Sequence, residues 1–304
     1  MRFLRNIQNG SNWNIGFCDM SSEDFISKKC LGRVHWMKHD YKDRFFADPF
    51  ILNVSQSDIT VLAEEYIFDC PPGKIVELVV DRQTKRLKHR YEVLALPTHL
   101  SYPAIMNIDD TVWVYPENGA AGKLSIYRYD AVNHRLIEPH CILQGAVADA
   151  TILRKENGDY LLTATRYPDN QSCVFAYETR SLYDGFSLSD HSPFQRSSKY
   201  SRPAGNFFHA FGSVYRPAQD CSDRYGGGIS VMRFDPDTYR ETFCFSIRPV
   251  SYRYSLGIHT INFAGTICVV DGYGYKYPTL GRIYASKMMK TIRDFMKNLL
   301  AYGS

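Results

Sequence analysis

The feature that most constrains the fold is a motif that recurs about every 50 residues, the period of one β-propeller blade. In each copy a polar or small residue precedes an apolar run. The copies begin near Asp48, Tyr102, Asp149, Pro203 and Ile258, so successive copies are separated by 54, 47, 54 and 55 residues. The spacing therefore predicts five structural units built one after another.

Each repeat contains further β-type runs. A run of β-branched and aromatic residues follows each anchor, and a third run ends in a polar residue, at 75–81, 124–130, 174–180, 229–235 and 282–287. Turn clusters such as Pro71-Pro72-Gly73 separate the runs, which indicates antiparallel meanders. The sequence predicts an all-β fold, a single five-bladed β-propeller over residues 1–304, with blades that start near 44, 99, 146, 201 and 256.

The two ends of the chain lack this pattern. We expect residues 1–43 to close the ring or to cover one of its faces. Residues 286–302 place apolar side chains on one helical face and basic ones elsewhere, which predicts a C-terminal amphipathic helix. Such a helix can pack on the outside of the propeller or make a peripheral membrane contact. Both alternatives stay open.

Composition and charge narrow the class of partner. The 36 basic and 32 acidic residues give a formal net charge of +4, which does not indicate a nucleic-acid-binding protein but is compatible with a locally basic cleft for an anion. The N-terminus lacks an apolar signal core, and the 8 cysteines form no C-x-x-C pair. We expect a soluble cytoplasmic protein with free thiols. Its oligomeric state is not indicated.

The repeat brings side chains that are distant in the sequence to one place. The innermost strands of a propeller line a central channel, here called the funnel, and Asp48 and Asp149 are expected to face each other across it. Further polar residues follow at the ends of the second strands. The candidate catalytic residues are Asp48, Asp149, Glu117 and Asp220. The candidate substrate-binding residues are Glu65, His99, Tyr102, Arg166, Arg202, Arg216, Gln219, His259 and Asp271.

Carboxylates across a cleft suit glycosyl chemistry. One carboxyl stabilises or attacks the anomeric carbon while another moves a proton. Arg166, Arg202 and Arg216 suit a ligand that carries phosphate or carboxylate, such as a nucleotide-linked or lipid-linked sugar. The chain has no D-x-D-x-D loop, so no metal is expected, and no other cofactor is indicated.

Each candidate also has a structural alternative. An aspartate before proline, such as Asp48, favours a turn. Arg216 and Asp220 can form a buried ion pair that ties blades together. Glu64 and Glu65 are adjacent, so their side chains point to opposite faces of a strand and only one of them can enter the funnel. Structural roles are equally open for Glu117, His99, His259 and Asp271.

Several motifs together resemble one family. They are Ala47-Asp48-Pro49-Phe50, His99-Leu100-Ser101-Tyr102-Pro103, Arg202-Pro203-Ala204-Gly205, Arg216-Pro217-Ala218-Gln219-Asp220-Cys221-Ser222 and Gly257-Ile258-His259-Thr260. This family is the propeller domain at the N-terminus of plant glucosamine inositolphosphorylceramide transferases, with bacterial relatives that accompany surface-polysaccharide genes. The resemblance covers residues 44–275, and the Arg-Pro-Ala-Gln-Asp-Cys-Ser run is its most distinctive part.

That family is in turn similar to five-bladed glycosidases of the arabinanase and β-xylosidase type. Those enzymes place a base Asp in blade one, a pKa-modulating Asp in blade three and an acid Glu in blade four. The resemblance implies the first two roles for Asp48 and Asp149. Near the fourth anchor the chain has Arg202 and no glutamate, which disfavours simple hydrolysis and leaves Glu117 or Asp220 to handle the proton.

Three functional hypotheses follow. The leading one is a glycosyltransferase of surface-polysaccharide or glycolipid assembly that uses a nucleotide- or lipid-linked donor and a saccharide acceptor, because a diphosphate leaving group needs cationic stabilisation more than protonation. The second is a glycoside hydrolase acting on small saccharides. The third is a non-catalytic carbohydrate-binding propeller, against which the retained Asp48 and Asp149 argue.

Overall fold

The structure is a computed structural model that describes residues 12–249 and 251–275, together with the single positions 279 and 287. Within these residues the chain forms five antiparallel sheets arranged as a five-bladed β-propeller. The predicted all-β fold is thereby confirmed. No helix among the described residues is long and apolar enough to cross a membrane.

The elements follow in chain order. The chain begins with β1 (Asn12–Asp19), helix α1 (Ser22–Lys28) and β2 (His35–Trp36). Blade one contains β3 (Arg44–Val54), β4 (Asp58–Ile67), β5 (Lys74–Asp81) and β6 (Leu87–Leu94). Blade two contains β7 (Ser101–Ile108), β8 (Thr111–Glu117), β9 (Lys123–Asp130) and β10 (Arg135–Gln144), with a 3-10 turn at Gly119–Ala121. Blade three contains β11 (Val147–Arg154), β12 (Tyr160–Arg166), β13 (Cys173–Thr179), β14 (Ser187–Leu188) and β15 (Gln195–Arg196). Blade four contains β16 (Phe208–Ala210), β17 (Ser213–Gln219), β18 (Ile229–Phe234) and β19 (Glu241–Ile247). The last two strands are β20 (Ile261–Ala264) and β21 (Ile267–Gly274).

Blade five joins the two ends of the described chain. Its strands run β20, β21, β1 and β2 from the channel outwards, and β1 pairs with β21 from Asn12 opposite Gly274 to Asp19 opposite Ile267. This corrects the expectation that residues 282–287 form the third strand of the last blade, because β1 occupies the place beside β21. Pairing the first strand with the last one closes the ring and removes two exposed sheet edges. Of the predicted helix at 286–302, only Lys287 is among the described residues.

Helix α1 follows from its local sequence. The Ser21 side chain accepts a hydrogen bond from the backbone N–H of Asp24, and Lys29 ends the helix in a left-handed conformation. Phe25 is buried and contacts the rings of Phe208 and Phe245 from blade four. The helix thus packs the N-terminal segment against the neighbouring blade.

A shared backbone irregularity marks the inner strands of blades one to three. The pairing with the second strand shifts after Ala47, Ser101 and Ala148. The next residues, Asp48, Tyr102 and Asp149, have φ values of +51°, +44° and +49°. A β-bulge of this kind redirects a side chain out of the regular alternation of the strand. These three residues are the first three anchors of the sequence repeat, so in blades one to three the period of about 50 residues is the period of the bulge. The fourth and fifth anchors, Pro203 and Ile258, precede the inner strands of their blades and have no positive φ.

The core lies between and within the blades. Valine, isoleucine and leucine side chains of neighbouring sheets form continuous apolar clusters, for example around Phe50, Leu62 and Leu100. The clusters leave polar side chains at one place in the ring interior, where the bulges lie. The fold therefore positions a polar site in an otherwise apolar framework.

Candidate active site

The funnel is a cavity of about 270 Å³ bordered by four of the five blades. Blade one contributes Asp48 and Glu64, and the second blade contributes Ser101 and Glu117, with His99 just before it. The lining is completed by Asp149, Tyr167, Asn170, Gln171, Arg202 and Tyr225. The cavity volume lies near the lower end of the range typical of small-molecule sites.

Acidic groups dominate the funnel. Four carboxyl groups line it, from Asp48, Glu64, Glu117 and Asp149, against the single guanidinium of Arg202. All five of these residues are buried. Burying like charges together disfavours full ionisation, so some of the carboxyl groups are expected to hold protons at neutral pH.

Asp48 lies at the first bulge, and its carboxyl group is held by groups from blades two and five. Its Oδ1 accepts a hydrogen bond from the Thr260 hydroxyl at 2.8 Å, and its Oδ2 accepts one from the backbone N–H of Tyr102 at 3.2 Å. Burial, together with the nearby Glu64 and Asp271 carboxylates, raises the pKa of Asp48 to about 7. Asp48 can therefore bind or release a proton near neutral pH.

Beneath Asp48 lies an ion-paired histidine. The Nδ1 atom of His259 is 2.6 Å from Asp271 Oδ2 and 3.4 Å from Asp48 Oδ1. Burial disfavours the imidazolium, but Asp271 and Asp48 outweigh burial and raise the pKa of His259 to about 9. The backbone N–H groups of His259 and Thr260 both donate to Asp271 Oδ1, which fixes that carboxylate.

Asp48, His259 and Asp271 are also the one group among the described residues with enough neighbouring ligand atoms for a metal ion, all within 4.8 Å of one another. A metal needs the neutral imidazole as ligand, whereas the two carboxylates favour the protonated form. Both oxygens of Asp271 are already engaged by His259, Thr260 and the N–H of Asp48. The donor set thus fits an internal ion pair better than a resident metal.

Asp149 lies at the third bulge in a different environment. Its Oδ2 is 2.5 Å from Nε of Arg202 and accepts a hydrogen bond from the Gln219 amide at 2.6 Å. Its backbone N–H donates to Oε2 of Glu117 at 2.9 Å, and Oε1 of Glu117 accepts from the Tyr167 hydroxyl at 2.6 Å. Burial raises the pKa of Asp149, and Arg202 works in the opposite direction. The positive charge of Arg202 is thus largely balanced within the protein.

His99 and Glu64 form a polar pair at the more exposed side of the funnel. The Nε2 atom of His99 is 3.3 Å from Glu64 Oε1, and its Nδ1 accepts a hydrogen bond from the Gly73 N–H at 3.0 Å. Glu64 raises the pKa of His99, whereas the Gly73 N–H opposes protonation of Nδ1. In the neutral ring the proton must therefore be on Nε2, directed at Glu64.

The structure places five predicted site residues in the funnel and four behind it. The five lining residues are Asp48, His99, Glu117, Asp149 and Arg202. Tyr102, Gln219, His259 and Asp271 are buried behind this lining, where they contact it through hydrogen bonds or ion pairs. For example, the backbone N–H of Tyr102 donates to Asp48 Oδ2, and its hydroxyl contacts Thr151 and the Gly205 N–H, which lie behind the lining. These four residues support the lining and do not themselves border the cavity.

Four predicted site residues lie outside the funnel, which corrects their assignment. Glu65 points to the opposite face of β4, where it pairs with Arg44 and Arg90. Glu64 lines the funnel in its place, because adjacent residues of a strand face opposite sides.

The other three engage local partners. Arg166 donates to the Tyr177 hydroxyl at 2.6 Å and lies over the Phe175 ring. Arg216 forms a buried pair with Glu241, and Asp220 pairs with Arg248 at 2.8 Å. The charges of Arg216 and Asp220 are neutralised within blade four, as expected for structural ion pairs, whereas Arg166 contacts a hydroxyl group and aromatic rings.

Sequence reasoning missed Ser101, Asn170 and Gln171. Ser101 immediately precedes the bulge of blade two, and Asn170 and Gln171 lie in the loop that follows β12. The available signal was positional, since a polar loop after the second strand of a blade opens at the same end of the ring as the bulge.

The fold and the polar centre define a five-bladed propeller with an acidic funnel. Residues 18–246 match the family model described as glucosamine inositolphosphorylceramide transferase 1, N-terminal. The chain belongs to this family. It is 30% identical over 159 residues to glucosamine inositolphosphorylceramide transferase 1 of Arabidopsis thaliana, which covers 47% of this chain and 20% of that protein. It is 26% identical over 212 residues to the protein of the same name from Oryza sativa subsp. indica, which covers 66% of this chain and 28% of that protein. The chain thus spans less than a third of the length of these relatives.

Solved structures share the fold at low sequence identity. Zg3597, a family 117 glycoside hydrolase from Zobellia galactanivorans, matches with a TM-score of 0.56 and 10% identity, over 86% of this chain and 91% of that one. The RS223 β-xylosidase matches with a TM-score of 0.52 and 11% identity, over 75% and 91%. At this identity the likeness establishes the propeller fold alone.

Proposed function

We propose that the chain is a carbohydrate-active enzyme that transfers a glycosyl group to a saccharide acceptor bound in the funnel. One observation carries the proposal: Asp48 is a buried carboxyl group that borders the cavity, and its pKa is raised to about 7. A carboxyl group with this pKa can take the proton of an attacking hydroxyl at neutral pH.

The surrounding residues suit an acid–base role for Asp48. Thr260 and the Tyr102 N–H fix the orientation of its carboxyl group, so little reorganisation is needed when a hydroxyl approaches. Asp149, held by Arg202 and Gln219, presents a second oriented carboxyl group to the same cavity. A carboxyl group in such a fixed position can hydrogen-bond a sugar hydroxyl and orient the saccharide.

The family relatives support sugar transfer as the reaction. Both named relatives are transferases by name, and the family model describes their N-terminal part. Because this chain spans only 20% and 28% of them, their activity enters here as part of the proposal. A nucleotide- or lipid-linked donor, as the sequence suggested, would meet a single arginine, Arg202, in the described lining of the funnel.

Hydrolysis is the second candidate, and the charge of the funnel favours it. Four carboxyl groups face one guanidinium that is already paired, so the described lining has no unpaired cation for a diphosphate. A neutral or amino-bearing saccharide fits such a lining better than an anionic one. In this reaction Asp48 would activate water in place of an acceptor hydroxyl, and the Glu64–His99 pair would protonate the leaving oxygen.

The proposal is tested with Asp48→Asn. Asparagine is similar in size to aspartate and tolerates positive φ, so the bulge is preserved. We expect turnover of an active sugar substrate to fall by about a hundredfold or more, with saccharide binding retained in saturation-transfer NMR. The matched control is Asp110→Asn, which changes an exposed aspartate that also has a positive φ, of +63°, outside the funnel.

Substrate panels separate the two reactions. If the enzyme is a transferase, it should move sugar from nucleotide-sugar donors to saccharide acceptors. If it is a hydrolase, it should release free sugar from aryl glycosides without an acceptor. Full activity in Asp48→Asn would exclude Asp48 as the base in either reaction. Saccharide binding without turnover of any donor or glycoside would instead identify a binding module.

A further inference from the structure

A second, larger cleft lies on the flank of the ring, between blades five and one. Its volume is about 850 Å³, and it shares no lining residue with the funnel. It is bordered by β2, the segment from β2 to the start of β3, and the turn between β5 and β6. We call it the basic cleft.

The basic cleft concentrates positive charge. Among the described residues, its lining includes seven lysines and arginines but a single carboxylate, that of Asp40. This excess of six positive charges is larger than the +4 of the whole chain, so the remaining residues taken together are slightly acidic. Like charges gathered in one cleft repel each other, and a bound anion relieves that repulsion.

Among the described residues, several of these cations have no carboxylate partner. Arg33, Lys38 and Arg253 are exposed and form no ion pair with the described part of the chain. Arg86 is 3.6 Å from Asp40, whose side chain is 95% exposed, so that pair is weak. By contrast, the chain neutralises Arg44 with Asp43 and Glu65, and Lys85 lies near Asp19 and Asp81.

Several of these cations lie near His39, which also borders the cleft. Burial and the nearby Arg253, Lys42 and Arg44 hold the pKa of His39 below its usual value. Its Nδ1 atom is buried without a hydrogen-bond partner in the described structure. The lowered pKa of His39 shows that the positive potential of these cations extends across the cleft, where it would stabilise a bound anion.

We propose that the basic cleft binds a phosphate-bearing ligand through Arg33, Lys38 and Arg253. Guanidinium and ammonium groups match phosphate oxygens in charge and in hydrogen-bond donors. The cleft lies open to solvent between two blades, and its volume suits a ligand larger than one ion, such as a diphosphate ester. The phosphate is carried either by a soluble nucleotide or by a lipid headgroup. The proposal is independent of the reaction in the funnel.

Binding of sodium pyrophosphate and uridine diphosphate to the full chain, measured by isothermal titration calorimetry, tests the proposal. Lys38→Glu combined with Arg253→Glu should weaken binding by about tenfold or more, because charge-assisted contacts become repulsive. Binding should also weaken as salt rises. The matched control is Arg135→Glu, which reverses an exposed charge on β10 in blade two and should bind like the wild type.

Sedimentation with phosphatidylcholine vesicles, with and without phosphatidic acid, distinguishes the two sources. A lipid-headgroup site is identified if the wild type binds the acidic vesicles, the double variant does not, and the soluble probes do not bind to the wild type. Saturable binding of uridine diphosphate identifies a soluble-phosphate site. The proposal is overturned if no probe binds, if the double variant binds as tightly as the control, or if only a long polyanion such as DNA binds. Unchanged unfolding midpoints of the variants would establish that they fold.

Discussion

Raising the pH should destabilise this protein through one buried residue, His259. In the folded chain its imidazole lies between the carboxylates of Asp271 and Asp48, which raise its pKa from 6.5 to about 9. The folded state therefore binds this proton more tightly than the unfolded state does. The resulting stabilisation is fully present below pH 6.5 and is lost as the pH rises through about 9.

The size of the effect follows from the change in pKa. A rise of one unit corresponds to about 1.4 kcal/mol, so the shift at His259 corresponds to roughly 3 kcal/mol of unfolding free energy. Asp48 acts in the same direction at lower pH, because its pKa rises from 3.8 to about 7. Its contribution is present below pH 3.8 and is lost as the pH rises through about 7. Both residues are buried, so solvent screens neither contribution strongly.

Two measurements check this prediction. Urea unfolding of the wild type should give a free energy about 3 kcal/mol lower above pH 9 than near pH 6.5 from His259 alone. The imidazole carbon-bound proton of His259, assigned by its loss in His259→Gln, should titrate near pH 9 by NMR. A His259 signal that titrates at or below pH 6.5 would refute the ion-pair reasoning.

Two further predictions concern the framework of the funnel. Arg202→Met leaves Asp149 without its cation in a buried site. We therefore expect the free energy of unfolding in urea to fall by about 3–5 kcal/mol. An unchanged unfolding midpoint would contradict the pairing. Gly205→Ala places a Cβ atom 2.0 Å from the Ile261 carbonyl oxygen at a φ of +130°. We expect it to cost at least about 1–3 kcal/mol, and more than Gly265→Ala, where a Cβ meets no atom within 4 Å. Equal losses in the two glycine variants would exclude the contact as the cause.

The repeat could be predicted from the sequence in part because one local constraint recurs in blades one to three. At Asp48, Tyr102 and Asp149 the inner strand must bulge and adopt a positive φ, and the residues that follow resume an apolar strand. Closure of the ring could not be assigned from local pattern. The third strand of blade five is β1, which pairs with β21 across nearly the whole chain, and pairing between distant segments leaves no periodic signature.

The site residues at the bulges could be predicted from the sequence. The residues whose position depends on which face of a strand their side chain occupies were harder to predict. Asp48 and Asp149 lie at the bulges and line the funnel. Glu64 and Glu65 are adjacent on β4, and the choice between them depends on the register with β3, which shifts at the bulge. The position of Arg216 could not be predicted for the same reason. Strand pairing, and not residue type, decides whether a strand residue faces the channel or an outer strand.

The distribution of charge over the two clefts bears on both proposals. The funnel gathers four carboxyl groups around one paired arginine, whereas the basic cleft gathers seven cations around one carboxylate. An anionic ligand therefore gains electrostatic free energy in the basic cleft and loses it in the funnel, and the reverse holds for a cationic one. The binding free energy of a neutral saccharide depends little on this electrostatic potential, so such a ligand is selected by hydrogen bonding to the fixed carboxylates. It follows that the funnel should discriminate against phosphorylated sugars relative to the free sugar, and that raising the salt concentration should reduce this discrimination.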